Sequence, residues 1–413
     1  MRFPLPGVIA LFILSFLTDW LIYSDIRKYA KRPVWRRIYA VSAVACWIFL
    51  IVILLMPKRE SESNLNNIMW MLYTYLSIYI PKTIYCLCSI IGMIPMLFKR
   101  KRWKSGLWVG VPLAFLTFIT MWWGVLVTRH EIQVNEVEIA SPRVPKGFDG
   151  YRIVQFSDAH VGTWGNDTAF ISTLVDSVNA LKPNLIVFTG DVVNRQTNEL
   201  APFLKVFSRL KAPDGVISVL GNHDYGDYID WAVPEEKTVN RALMESWQKQ
   251  IGWDLVNNDR RLITHEGDTL VMIGVENWGE PPFKQYGKLF NAYPLNPDSN
   301  YNLTDDRFKI LLSHNPEHWN QEVTKVSNID LTLSGHTHAM QMMVQLGDWK
   351  WSPAKYRYEQ WAGMYERPGV GGVPSRLYVN IGVGEVAIPF RIGATPEITV
   401  FTLRHGSDDK SGK

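Results

Sequence analysis

The sequence predicts two unlike parts: an N-terminal multi-pass α-helical membrane domain with four spans, then one α/β domain that folds in water. Three observations lead there. Four long apolar runs crowd into residues 1–128. Charge divides at the same place, because those residues hold 15 Lys+Arg against 4 Asp+Glu while the remainder holds 28 against 35. Beyond residue 150, short apolar runs alternate with helical periodicity, which is the rhythm of βαβ units.

The membrane runs come first in the chain. Residues 5–23 are almost wholly apolar with Asp19 near their end, 38–56 carry no charge, 68–98 carry only Lys82, and 107–127 carry none. Crossing a hydrocarbon core takes about 20 apolar residues. The first run has no small-residue cleavage site before Ser24-Asp25-Ile26-Arg27, so it reads as a retained span and not as a signal peptide. The third run is long for one upright span and is interrupted by Pro81-Lys82. A kinked or tilted helix with Lys82 reaching a headgroup fits it, and so does a re-entrant hairpin. Charge favours four crossings. Arg27, Lys28, Lys31, Arg32, Arg36 and Arg37 follow the first run, and Lys99, Arg100, Lys101, Arg102 and Lys104 follow the third. The loop between the second and third runs has only Lys58 and Arg59, beside Glu60 and Glu62. Basic loops stay cytoplasmic, and four crossings put both on one side. Everything after about Arg129 is then expected on the extracytoplasmic (periplasmic) face of the cell membrane. Trp103, Trp108, Trp122 and Trp123 near the ends of the fourth run fit an interfacial belt.

Residues 129–150 read as a linker and a leading strand. Ile132, Val134, Val137 and Ile139 mark that strand, and their spacing slips by one, as at a bulge. Residues 151–404 read as the folded domain and 405–413 as a polar tail. Strands are expected at 152–156, 185–188, 216–220, 270–275, 309–313, 329–334, 377–381 and 397–403, with helices at 170–181 and 200–210 and a loop over 280–306. The acidic balance of this part argues against a nucleic-acid partner, which calls for cations on the globular domain. Cys46, Cys86 and Cys88 all lie in apolar runs, so neither a disulfide framework nor a thiolate zinc site is available.

Polar clusters fall just past the carboxyl ends of these strands, the edge where open α/β sheets bind ligands. They are Asp158/His160, Asp191, Asn222/His223, His314 and His336/His338. Each alone is an ordinary turn or helix cap. Together they gather five of the nine histidines of the chain, whereas His130, His265, His318 and His405 have no such surroundings. Imidazole with carboxylate and carboxamide, and no thiolate, suits Mn, Fe or Zn better than Mg or Ca. A bound ion of this kind lowers the pKa of its water toward neutrality.

With Asp158-Ala-His160, Gly190-Asp191-Val-Val-Asn194, Gly221-Asn222-His223-Asp224, His314 and Gly335-His336-Thr-His338 in this order, the chain resembles the calcineurin-like metallophosphoesterases over roughly residues 151–404. It is most similar to membrane-associated members related to bacterial UDP-diacylglucosamine pyrophosphatases, which share His314-Asn315-Pro316. The resemblance implies a four-layer α/β/β/α sandwich with two divalent transition-metal ions, Mn first. It implies Asp158, His160, Asp191 and His338 around one ion and Asp191, Asn222, His314 and His336 around the other. His223 is then the catalytic acid, with Asp224 orienting it. The implied activity is hydrolysis of a phosphodiester or pyrophosphate, lipid-linked given the membrane tether, by hydroxide attack. Those pyrophosphatases act on the cytoplasmic side, so the charge pattern weakens that particular substrate. The alternatives are a non-catalytic metal-binding scaffold or a membrane receptor on the same fold. Filled ligand positions disfavour the first. One departure is Ala339-Met340, where many relatives carry Gly-Gly. Trp349, Trp351, Tyr356, Tyr358, Trp361 and Tyr365 offer an apolar platform or simple packing, and Lys350, Lys355, Arg357 and Arg367 among them suit a second phosphate or plain solvent.

Overall fold

The structure is a computed structural model that describes residues 5–56, 62–296, 298, 300–347 and 349–406. Lys58, Arg59 and Glu60, and tail residues 407–413, lie outside the described residues. The chain divides into two compact units, residues 1–127 with 387–392 and residues 128–386 with 393–413.

The first unit has four helices long and apolar enough to cross a membrane. They run over Leu5–Tyr29, Pro33–Leu55, Glu62–Ile91 and Val111–Leu126, the last preceded by a π-helical turn at Gly106–Gly110. Pro33 stands in the first turn, where its missing N–H leaves no bond unmade. The third helix continues unbroken through Pro81 and ends in one further turn, Ile94–Leu97. That excludes the re-entrant hairpin. Asp19 and Lys82 do not reach for separate headgroups either. Lys82 Nζ lies 3.0 Å from Asp19 Oδ1, and Tyr39, Tyr79 and Trp47 also donate to that carboxylate. Pairing answers the cost of charge among apolar helices. The third helix and the π turn approach closely. A side chain at Gly106 would meet Ser89 Cβ at 2.8 Å, so only hydrogen fits. Residues 387–392 pack into this unit, with Phe390 stacked on Tyr73 and Arg391 N bonded to the Gly124 carbonyl.

The second unit is built on two six-stranded sheets. The first contains β1 (Gln133–Ser141), β2 (Arg152–Phe156), β3 (Leu185–Phe188), β4 (Val216–Ser218), β5 (Trp253–Leu255) and β14 (Glu397–His405), in the order β1-β14-β2-β3-β4-β5. The second contains β6 (Asp259–His265), β7 (Asp268–Gly274), β8 (Lys309–Leu312), β9 (Leu331–Ser334), β12 (Gly363–Pro368) and β13 (Pro374–Val379), in the order β12-β13-β9-β8-β7-β6. A small hairpin joins β10 (Val344–Leu346) to β11 (Trp349–Trp351). The sheets face each other across Ile153, Val187, Ile217, Met272, Ile310 and Leu333. Helices Ala169–Ala180 and Pro234–Gln250 cover the outer face of the first sheet, with Phe170, Leu174 and Met244 in its core. Short turns around Leu289 and Trp319 cover the second. The result is four layers, α/β/β/α. Two expectations need correction. β1 pairs with β14 in unbroken parallel register and has no bulge. Residues 200–210 are not one helix: a 3₁₀ stretch, Thr197–Phe203, carries Pro202 and leads into a single α-turn, Leu204–Phe207.

Candidate metal centre

The strand ends place two clusters side by side. Asp158 and His160 follow β2, Asp191 follows β3, Asn222 and His223 follow β4, His314 follows β8, and His336 and His338 follow β9. Asp158, His160 and His338 form one group whose ligand atoms lie within 4.8 Å of one another, and Asp191, His314 and His336 form the other. His338 Nε2 is 3.1 Å from both Asp158 Oδ1 and His160 Nε2. Asp191 Oδ2 stands 3.1 Å from His314 Nε2 and 3.6 Å from His160 Nε2, so one carboxylate oxygen touches both groups.

Local backbone geometry makes this convergence feasible. Asp158, His160, Asp191, His336 and His338 all have positive φ, between 41° and 76°. Left-handed backbone costs a non-glycine residue free energy and persists where the surroundings over-determine it. A Cβ at Gly221 would lie 2.1 Å from Asp191 Oδ1, so glycine there is what lets the carboxylate in. The Ala339-Met340 departure continues the theme, because Ala339, Met340 and Gln341 also sit at φ 48°, 45° and 58°.

The donor set fits cations. His160 Nδ1 and His314 Nδ1 lie 3.1 and 2.8 Å from the carbonyls of Val193 and Thr189, which fixes their tautomers and turns Nε2 inward. For His336 the outer nitrogen is Nε2, 3.2 Å from the Tyr358 hydroxyl. Asn222 donates its amide to Tyr228 at 2.8 Å, while its Oδ1 is buried and accepts no hydrogen bond. An orphaned buried acceptor beside imidazole rings is what a metal ligand looks like without its ion. Electrostatics agree. Burial and the neighbouring His223 hold the His160 ring well below the usual imidazole range, and burial with His314 pushes His336 down to about 3. Burial resists protonation of His314 too, but Asp191 outweighs it and raises that ring to about 9. Burial also works against the Asp158 carboxylate, yet His338 holds it well below the usual carboxylate range. The buried Asp158 and Asp191 carboxylates, facing the histidine rings, therefore favour positive charge at this spot.

His223 lies outside both groups. Its ring is 4.9 Å from His160, stacks on Tyr228 at 4.3 Å, and sets Nδ1 2.6 Å from the Asn194 carbonyl. Asp224 does not orient it. That carboxylate is fully buried and accepts from the backbone N–H groups of Asp191, Val192, Val193 and Gly221. It clamps the β3 and β4 loops together, and the orienting contact belongs to Asn194. Tyr228 and Tyr358 are partners that sequence reasoning missed, because a tyrosine four or more residues from any motif has no local signature. Of the aromatic segment, Tyr358 and Trp361 are buried packing, while Trp349 and Tyr356 are exposed. Among its cations, Lys350 is bonded to the Ala362 carbonyl, Arg357 to Glu317 and Arg367 to Glu359. The expectation of a cationic second phosphate site therefore shrinks to Lys355.

Residues 151–340 match the model of the calcineurin-like phosphoesterase family, and residues 1–129 match that of a probable calcineurin-like phosphoesterase, transmembrane domain. An uncharacterized metallophosphoesterase of Bacillus subtilis, YkuE, is 31% identical over 286 residues, covering 67% of this chain and 86% of that protein. The chain belongs to the calcineurin-like phosphoesterase family. It is a multi-pass membrane member of the family, and membership implies phosphoester hydrolysis. A Danio rerio transmembrane protein with a metallophosphoesterase domain is 25% identical over 298 residues, covering 70% of this phosphoesterase and 61% of the fish protein. The UDP-2,3-diacylglucosamine pyrophosphatase LpxG of Chlamydia muridarum is 30% identical over 236 residues, 48% of this chain and 68% of its own length.

Proposed function

We propose that the protein is a membrane-anchored, dinuclear-metal hydrolase of a phosphodiester or pyrophosphate carried on a lipid. The observation that supports hydrolysis most is the single Asp191 oxygen shared between the two clusters. Asp158, His160, Asp191 and His338 would hold one ion, and Asp191, Asn222, His314 and His336 the other. Manganese leads, with iron or zinc as substitutes, on the imidazole and oxygen donors. Two divalent ions bound there supply Lewis acidity and a nucleophilic oxygen at neutral pH. The protein does the rest. His160 and His314 are oriented by backbone carbonyls, and Asp224 keeps the loops in register. His223, with Nδ1 spent on Asn194, is left to deliver a proton from Nε2 to the leaving oxygen.

The lipid-linked reading is supported by the surface that follows the last histidine. Leu346, Trp349 and Tyr356 on and after the β10–β11 hairpin are exposed, and the nearby Tyr358 hydroxyl reaches His336. Acyl chains suit such a surface. LpxG, by its name, acts on a nucleotide-linked diacyl sugar pyrophosphate. The basic loops favour the extracytoplasmic face for the phosphoesterase domain, which points to a different lipid phosphate.

One experiment tests activity and orientation together. Sealed cells expressing the protein, with Mn added, are given impermeant phosphomonoesters, phosphodiesters and pyrophosphates. The expected result is hydrolysis of a diester or pyrophosphate without permeabilisation. Hydrolysis only after permeabilisation would overturn the orientation, and none in either state would overturn the hydrolase.

A further inference from the structure

The membrane unit encloses a groove of about 670 Å³ walled by all four of its long helices. That is the size of an ordinary small-ligand site. Its lining is mainly apolar, with Ile22, Ile26, Leu107, Val111 and Phe115 along the walls. Its two charged lining residues are both neutralised, Lys82 by Asp19 and Asp25 by Arg102. The lining comes from the end of the first helix, the start of the second, the latter half of the third and the start of the fourth. These are the helix portions that adjoin the two basic loops.

Charge collects at that end. Arg102 meets Asp25 through two bonds of 2.6 and 3.0 Å, which ties the second basic loop to the first and consumes the only acid in residues 24–37 and 98–105. Nine of the eleven Lys and Arg side chains in residues 27–37 and 99–104 are exposed, and none of the nine forms an ion pair among the described residues. An apolar slot with unneutralised cations at its mouth fits a molecule with a long hydrocarbon chain and an anionic head. A helix from a second copy fits poorly, because it brings the same cations.

We propose that this groove binds an anionic phospholipid, with an acyl chain between the helices and the phosphate held by cations of both basic loops. The site is separate from the metal centre and does not depend on the hydrolase reading. Each cation near an anionic head favours it about fivefold.

The test uses the full-length protein in detergent, titrated with dioleoyl-phosphatidylglycerol or dioleoyl-phosphatidylcholine and read by native mass spectrometry. Phosphatidylglycerol is expected to bind at least about fivefold more tightly. Ala114→Trp, which fills the groove, should abolish that binding, and Val109→Trp on the exposed face of the same segment should leave it. Lys101→Gln combined with Lys104→Gln, both exposed, should bring the two lipids within about twofold, and this pair decides alone if Ala114→Trp does not fold. Equal binding of the two lipids, binding that survives Ala114→Trp, unchanged selectivity in the lysine pair, or a dimer that displaces the lipid would each overturn the proposal.

Discussion

His223→Ala will keep both metal ions and lose about 10²–10⁴ in turnover on substrates with poor leaving groups. The geometry separates these two effects. The ring is outside both ligand groups, so its removal leaves no coordinating atom missing. It is nevertheless held in place, with Nδ1 on the Asn194 carbonyl and its face on Tyr228. A leaving group such as a nitrophenolate departs without a proton, so the loss on it should be much smaller. The comparison of kcat on the two substrate types, with metal content measured alongside, checks this. Equal losses on both would remove His223 from the acid role, and loss of metal would place it among the ligands.

Asp191→Asn will cost both ions together. The outward-facing partners of metal ligands are typically worth about 10–100-fold, and a shared ligand should cost more, at least about 10³-fold in turnover. The reason is specific to its position. Oδ2 faces His314 and His160, one ring from each cluster, and Oδ1 accepts from the His223 backbone N–H. The amide replaces an oxygen by a donor that points at groups needing an acceptor. Metal analysis of the mutant should find less than one ion per chain. Full occupancy would refute the shared-ligand assignment.

Much of this was legible because the fold writes its chemistry at strand ends. The runs 152–156, 185–188 and 309–312 are short, apolar and immediately followed by their polar residues, so strand and ligand are read in one glance. Partners that act through space left no such trace. Asp224 lies next to His223 in sequence, yet its carboxylate turns to the β3 loop, because three backbone donors there, with the Gly221 N–H of its own loop, outcompete one ring. The pairing of Asp19 with Lys82 spans 63 residues, and only the packed bundle reveals it. Residues 387–392 look like a loop of the second domain but fold with the membrane helices, because Ile388, Phe390 and Ile392 find apolar partners there. The missed helix Pro234–Gln250 is strongly polar, and only Asn240, Met244 and Gln248 are buried, so its apolar stripe is too thin to recognise.

The central claim is that residues scattered over 181 positions, from Asp158 to His338, build one site for two cations. Elemental analysis of the full-length protein, purified without chelator, tests it most directly. About two transition-metal ions per chain are expected, as the paired-ion chemistry requires. Fewer than one would contradict it.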